Sequence, residues 1–558
     1  MTTAAASVNP RTKYFVLVGA IVVQLILGTV YGYSIFWEPL QAEIFPQAVT
    51  AARHAEMVAS GADVSGVSVV ADAGALAERA STERGYLKYA FSICILSFAF
   101  VMVIAGRLQD IKGPRFTATI GAVLMGTGFI LAGLMNSPIV FTLAHAAFTG
   151  AVATVLLMVF HALFGKLDPY EVPIVKYIPM GIIAAVVTGS VLLGQGSIGQ
   201  GGELDKVFLL WGTIGFTAGA GIGFAYVCPI AALIKWFPEK KGLVSGLAVA
   251  GFGLGAYFFK GGENIVSIPV GDSDVSLPIP GALGFMRDHG VQSLFVVHGF
   301  VCLVGISLGA MLLKNPPVDE KGSKHDSKHA FEEIADGETT WQQTLRRPAF
   351  YVLWLMFFSG AMAGLMVIGI LKVFAGEQLI AAASVSASSS GEALSSAARS
   401  EWMSKGAAAV GWLAIFNAVG RVVWGFVSDF VGRYVALAAM FLFQAVTMFL
   451  LVNAQSEMSI AVAASIVGFN FGGNFALFPS ATADLFGARN MGANYGWVFT
   501  SYGIAGVVGI AAGNVAKSMT GSYSAAFTVS AGLCVVSAGL AIGLWRWSRR
   551  EQRRERIG

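Results

Sequence analysis

Apolar runs of about twenty residues recur fourteen times along this chain, and nothing else in it constrains the fold as strongly. They fall at about 14–36, 86–105, 116–136, 139–164, 174–196, 207–234, 243–260 and 291–313. After a charged stretch they resume at about 349–373, 405–426, 434–453, 458–480, 494–516 and 524–547. A bilayer core about 30 Å thick takes roughly 20 residues of helix, and within it every backbone N–H and C=O must find a partner inside the segment. Each run is therefore predicted to be a transmembrane helix, and the chain an all-α membrane protein. Of its 558 residues 56% are hydrophobic and 12% charged, where a soluble protein carries about 25% charged residues. The 68 glycines suit helices that approach closely across small residues. The first run follows MTTAAASVNPRTK with no small-residue cleavage site after it, so it reads as a span rather than a removed signal segment.

Lys and Arg set the orientation. Placing both termini inside puts most of the 36 Lys and Arg in cytoplasmic segments, including Arg107, Lys112, Arg115, Lys235, Lys240, Lys241, Arg346, Arg347 and the basic tail. The expected organisation is a cytoplasmic tail at 1–13, an N-terminal bundle at 14–313, a cytoplasmic linker at 314–347, a C-terminal bundle at 348–547 and a basic cytoplasmic tail at 548–558. The linker is polar, opens on Pro316-Pro317 and divides the spans into eight and six. Residues 37–85 and 374–404 read as long outside loops.

One loop occurs twice. Gly106-Arg-Leu-Gln-Asp110-Ile-Lys-Gly113-Pro-Arg115 returns as Gly425-Phe-Val-Ser-Asp429-Phe-Val-Gly432-Arg433. Two copies half a chain apart point to two duplicated bundles. The first copy and the loop Lys235-Trp-Phe-Pro-Glu-Lys-Lys241 both belong on the cytoplasmic face. A six-helix bundle has two spans between them, whereas the apolar runs supply four. The extra pair, within about 139–196, is expected to pack outside the bundle and leave its cavity unchanged. In each copy the Asp is expected to accept from N–H groups at the start of the next helix and to pair with an Arg. The gating set is then Arg107, Asp110, Arg115, Asp429 and Arg433.

Arg421 is a full charge within a predicted span. Such a group costs a few kcal/mol at least and usually faces a polar cavity. Two readings stand: an anion site, or a side chain that snorkels or pairs with Asp429, eight residues and about 12 Å along the helix. Asn417 lies one turn before Arg421. Asn470 and Asn474 share a helix face. Tyr226, near Pro229, and Trp497 and Tyr502 are further candidates for a cavity wall, with ordinary helix packing as the alternative. No Asp or Glu lies mid-membrane. The motifs Gly219-Ala-Gly-Ile-Gly223 and Gly251-Phe-Gly-Leu-Gly255 lack a preceding strand and a Walker lysine, which excludes a nucleotide loop. Cys94, Cys228, Cys302 and Cys534 are scattered singly, and His325 and His329 sit in a Lys/Asp-rich linker. No metal, cofactor or nucleic acid is expected.

In combination these stretches resemble the major facilitator superfamily and, within it, the oxalate/formate antiporter family, a relative of the monocarboxylate transporters. The residues that carry the resemblance are the two loops with Leu27-Gly-Thr-Val-Tyr31-Gly-Tyr33-Ser-Ile-Phe36, Lys235-Trp-Phe-Pro-Glu-Lys-Lys-Gly242, Asn417-Ala-Val-Gly-Arg421, Ser428-Asp429 and Asn494-Tyr495-Gly496. The resemblance implies two six-helix bundles around a cavity that opens alternately to each side. It also implies an arginine at 421 that grips the substrate carboxylate, inside a cage lined by Tyr31 and Tyr226. Members that handle oxalate carry a lysine where this chain has Tyr502, and related monocarboxylate carriers often have Asp where it has Asn417. One guanidinium balances one negative charge, and an unbalanced buried charge costs several kcal/mol. The expectation is a monomeric carrier in a bacterial inner membrane, not an enzyme. It moves small monocarboxylates such as lactate, pyruvate or formate, by proton symport or anion exchange. The alternatives are oxalate:formate antiport and, more remotely, a solute sensor that does not transport.

Overall fold

A computed structural model describes residues 11–137, 203–260, 266–270, 273–277, 281–317, 338–389 and 395–557, with scattered positions between 142 and 187. Helix α1 (Thr12–Leu27) runs into a 3-10 segment, Gly28–Phe36. There follow α2 (Trp37–Ile44), β1 (Ala48–Thr50), α3 (Ala51–Ala59), β2 (Ser68–Val70), α4 (Ala73–Lys112) and α5 (Pro114–Gly133). Further along, α6 (Glu203–Leu210) continues through a π segment into α7 (Gly219–Trp236), and α8 is Lys241–Lys260. A hairpin, β3 (Val266–Val270) and β4 (Ser273–Leu277), precedes α9 (Ala282–Leu312). The second half holds α10 (Trp341–Arg346), α11 (Pro348–Ser389), α12 (Ser396–Val431), α13 (Arg433–Val452), α14 (Glu457–Phe486), α15 (Met491–Thr520) and α16 (Ser524–Ile557).

Twelve of the described helical stretches are long and apolar enough to cross a bilayer, six before the linker and six after it. The expected extra pair lies almost wholly outside the described residues, and the count of fourteen with it. The segments read as outside loops are instead largely helical. Helix α4 begins at Ala73, where Asp72 accepts from the Ala75 N–H at 2.8 Å. Helix α11 runs to Ser389, and Ser395 caps α12. Within 37–70, α2, α3 and a parallel β1–β2 pair fill the rest. Alanine has the best helix propensity even without apolar periodicity, and here the helical turns extend spans that are already nucleated.

Inside the halves, α5 packs on α9, α12 on α14 and α11 on α15. Between the halves, α4 packs on α15 and α8 on α12. The ends of α4, α7, α9, α12 and α14 gather on one face, referred to below as the linker face. There Trp236 Nε1 donates to the Lys314 carbonyl at 2.6 Å, and Thr339 N–H donates to the Phe486 carbonyl at 3.0 Å.

Candidate functional site

The repeated loop performs the same three tasks in both halves. Its first glycine lets helices from opposite halves touch. A Cβ at Gly106 would lie 1.9 Å from the Gly492 carbonyl oxygen, and one at Gly425 would lie 2.3 Å from that of Gly242. Its second glycine ends the helix at positive φ, +88° at Gly113 and +87° at Gly432, with ψ of 166° and 153°. That backbone region is essentially restricted to glycine. Its Asp caps a helix, though a different one from that expected. Asp110 accepts from Gly492 N–H at 3.2 Å and Ala493 N–H at 2.8 Å, at the start of α15. Asp429 accepts from Gly242 N–H at 3.0 Å and Leu243 N–H at 2.9 Å, at the start of α8. Each carboxylate therefore reaches across to the other bundle rather than to the helix that follows it. The positive end of that helix favours a negative charge at this place.

Of the cationic partners, Asp429's is an arginine as expected and Asp110's is a lysine instead. Asp110 pairs with Lys235 at 3.3 Å, and Asp429 pairs with Arg433 at 2.6 Å. Arg433 also reaches Asp484 at 3.1 Å, and Asp484 pairs with Lys241 at 2.7 Å. Arg115 donates to the Leu313 carbonyl at 2.8 Å, a bond within the first half. Arg107 is half-buried on α4. Lys235 and Asp484 join the closure; Lys235 was read only as part of a basic cytoplasmic loop, and Asp484 was not among the candidates.

Arg421 lies between the halves and is fully buried. Its Nε donates to Asn417 Oδ1 at 3.2 Å within α12, and its Nη1 donates to the Val249 carbonyl of α8 at 2.7 Å. The guanidinium sits 4.4 Å above the Phe475 ring and 5.7 Å from that of Phe252. Among the described residues its Nη2 has no hydrogen-bond partner and no carboxylate contacts it. Asp429, the candidate structural partner, is engaged with α8 and Arg433 instead. Hydrogen bonds from a charged donor are worth about 1.5–3 kcal/mol each, and a cation over a ring adds about 0.5–2. Together these are of the same order as the several kcal/mol it costs to bury the charge. The charge is accommodated but not neutralised.

Aromatic side chains from both halves enclose it. The Tyr31 and Tyr502 hydroxyls meet at 2.7 Å, joining the 3-10 segment of the first half to α15 of the second. Tyr31 packs on Phe252 at 5.1 Å, Tyr226 on Phe252 at 5.1 Å and on Phe98 at 5.0 Å, and Tyr502 on Phe475 at 5.4 Å. The buried Tyr226 hydroxyl has no partner among the described residues. Asn470 Oδ1 accepts from Trp424 Nε1 at 3.2 Å, and its Nδ2 has no partner among the described residues. Asn474 donates back to the carbonyls of Asn470 and Phe471, both at 3.2 Å. The structure thus brings Arg421, Asn417, Tyr31, Tyr226 and Tyr502 into one cluster, with Asn470 behind it against α12. Trp497 is not part of the ring: it stacks at 5.8 Å on Trp341 of the linker helix α10. Phe98, Phe252, Phe475 and Phe499 belong to the cage and were not among the candidates, because a phenylalanine in an apolar helix has the same pattern whether it faces a cavity or the core. A cleft of about 470 Å³ lined by Leu379, Lys405, Trp412, Phe416 and Ile466 includes no residue of this cluster.

Two helical bundles, with a cation between them that no carboxylate among the described residues meets and a capped closure on one face, fit a membrane carrier. The chain belongs to the Major Facilitator Superfamily, whose profile matches residues 175–405 and 384–558. The uncharacterized MFS-type transporter YhjX of Escherichia coli is 24% identical over 89% of this chain and 86% of its own length. The oxalate:formate antiporter of Oxalobacter formigenes is 29% identical over 61% of this chain and 70% of its own. Apicoplast pyruvate carrier 1 of Toxoplasma gondii is 27% identical over 58% and 62%. In fold, the proton:xylose symporter XylE aligns at a TM-score of 0.54, with 13% identity over 96% of both chains. The transporter FucP in its outward conformation aligns at 0.52, with 13% identity over 95% of this chain and 99% of its own.

Proposed function

We propose that the protein is a secondary active transporter of small monocarboxylate anions, of the size of lactate, pyruvate or formate. One observation carries this reading: Arg421 is buried between the bundles and, among the described residues, its Nη2 has no partner and no carboxylate lies on it. A carboxylate placed against Nη2 completes the charge balance and can bind in two-pronged fashion. The hydroxyls of Tyr31, Tyr226 and Tyr502 are near enough to the cage to bond its remaining oxygen lone pairs. A dicarboxylate would leave one charge unbalanced, since the position that holds lysine in oxalate carriers is Tyr502. The named relatives support both a pyruvate-type and an oxalate/formate-type substrate, and their competition is decided by experiment. In this reading the bundles rock about Arg421, with Asp110 and Asp429 holding the linker face shut, in a bacterial inner membrane with the linker inside. Lacking a mid-membrane carboxylate, the carrier couples to a proton that travels with the substrate or exchanges one anion for another.

In proteoliposomes, lactate or pyruvate uptake is expected to exceed oxalate uptake. Arg421→Ala is expected to lower it at least about tenfold, with normal insertion judged by yield and thermal midpoint. Oxalate uptake above lactate uptake, or an Arg421→Ala protein that still transports, sinks the proposal.

A further inference from the structure

The bond from Arg421 to Val249 is more than a resting place for a charge. It crosses from α12 of one bundle to α8 of the other, and it uses a carbonyl that helix geometry already pairs with the N–H four residues on, that of residue 253. That residue is glycine. A Cβ there would stand 3.2 Å from Arg421 Nε and 3.4 Å from Ala418, so the missing side chain leaves the notch through which the guanidinium reaches the Val249 carbonyl. Arg421 and Asp429 lie on one helix, and both bind α8, at Val249 and at Gly242 and Leu243. Moving α8 away from α12 to open the linker face must break both attachments.

The two hydrogen bonds of Arg421 differ in what a substrate can do to them. The bond to Asn417 stays within one helix and survives any movement of the bundles. The bond to Val249 joins moving parts, and its donor, Nη1, forms a binding edge with Nη2, which has no partner among the described residues. A carboxylate that spans Nη1 and Nη2 draws the guanidinium from a neutral carbonyl to a full negative charge, the stronger acceptor.

We propose that the Arg421–Val249 bond, admitted by the Gly253 notch, is a substrate-released lock. It holds the linker face closed while the site is empty, and an arriving carboxylate takes over the donor and frees α8 from α12. This rests on Arg421 being the carboxylate site. Its consequence is kinetic: the empty carrier opens to the linker side less readily than the loaded one, so exchange outruns net flux. A ligand shifts such an equilibrium only by its differential interaction with the two states. One bond from a charged donor corresponds to about tenfold or more in that balance.

Two measurements on the full-length protein test the lock. The first needs no substrate. Ala493→Cys places a thiol at the α4–α15 contact on the linker face, and the native cysteines are all buried. With N-ethylmaleimide as the probe, adding Gly253→Ala is expected to speed labelling of the empty carrier about tenfold, and Gly253→Ser to act in the same direction. The second uses labelled lactate in proteoliposomes. Efflux into lactate-containing medium is expected to be at least about tenfold faster than efflux into lactate-free medium, and Gly253→Ala to narrow that ratio. Equal wild-type rates, or labelling that Gly253→Ala leaves unchanged, overturn the lock. Lactate flux that survives Arg421→Ala removes the anion site itself, and the lock with it. An Arg421-dependent flux with unchanged labelling removes the lock alone.

Discussion

The contact between the Tyr31 and Tyr502 hydroxyls, 2.7 Å long, closes the cage over Arg421 with two neutral groups. A phenol can donate to one oxygen of a bound anion but supplies no countercharge. Tyr502 is fully buried and flanked by Phe475 and Phe499, so a cation at this place would act through a poorly screened medium, where a unit charge a few ångströms away is worth several kcal/mol. Tyr502→Lys is therefore expected to raise the ratio of oxalate to lactate uptake by about tenfold or more. A ratio that stays at the wild-type value would show that charge count is not what separates mono- from dicarboxylate here.

At the scale of the element, each repeated loop joins a helix crossing to a helix cap, and the crossing comes first. Neither α4 nor α12 reaches the other half unless residues 106 and 425 lack a side chain, because the atoms a Cβ would meet are backbone. Overfilling such a contact costs about 1–3 kcal/mol. Gly106→Ala is expected to destabilise the folded carrier by that amount in thermal unfolding. Gly539→Ala serves as its control, since a Cβ at Gly539 on α16 would meet nothing within 4 Å. There alanine's better helix propensity is expected to leave stability equal or raised by about 0.5–1 kcal/mol. Equal losses at the two sites would mean that the α4–α15 crossing is not a close-packed contact.

The whole molecule closes its linker face at two helix pairs, α4–α15 and α8–α12, each held by a carboxylate from one half on a helix of the other. If the halves move as rigid bodies, weakening one pair must loosen the other. Ser245 lies fully buried on α8, 3.5 Å from Ser480 of α14 and next to Gly246, which packs on the Arg421 backbone of α12, and thus reports on separation of α8 from the second half. Asp110→Asn, which removes the ion pair to Lys235 in the first pair, is expected to speed thiol labelling of Ser245→Cys severalfold. If labelling responds to Asp429→Asn but not to Asp110→Asn, the two pairs open separately and rigid-body rocking fails.

The local features were legible in the sequence: twelve of the fourteen apolar runs fall on described helices long enough to span, the loop recurs, and a lone arginine stands in an apolar helix. Helix formation in a bilayer depends on apolar length, and a duplicated loop is a pattern within a single string of residues. Pairing between distant residues was not legible. Asp110 meets α15 more than 380 positions away, Trp497 faces a linker tryptophan instead of the cage, and Phe252 and Phe475 come together only when the halves assemble. Arg421 shows the division most clearly. Its cost in an apolar helix could be read from its neighbours along the chain, but its freedom from any carboxylate among the described residues depends on what the other bundle presents to it. Local chemistry determined that a charge lies in a membrane helix; tertiary contact decided that no carboxylate among the described residues meets it.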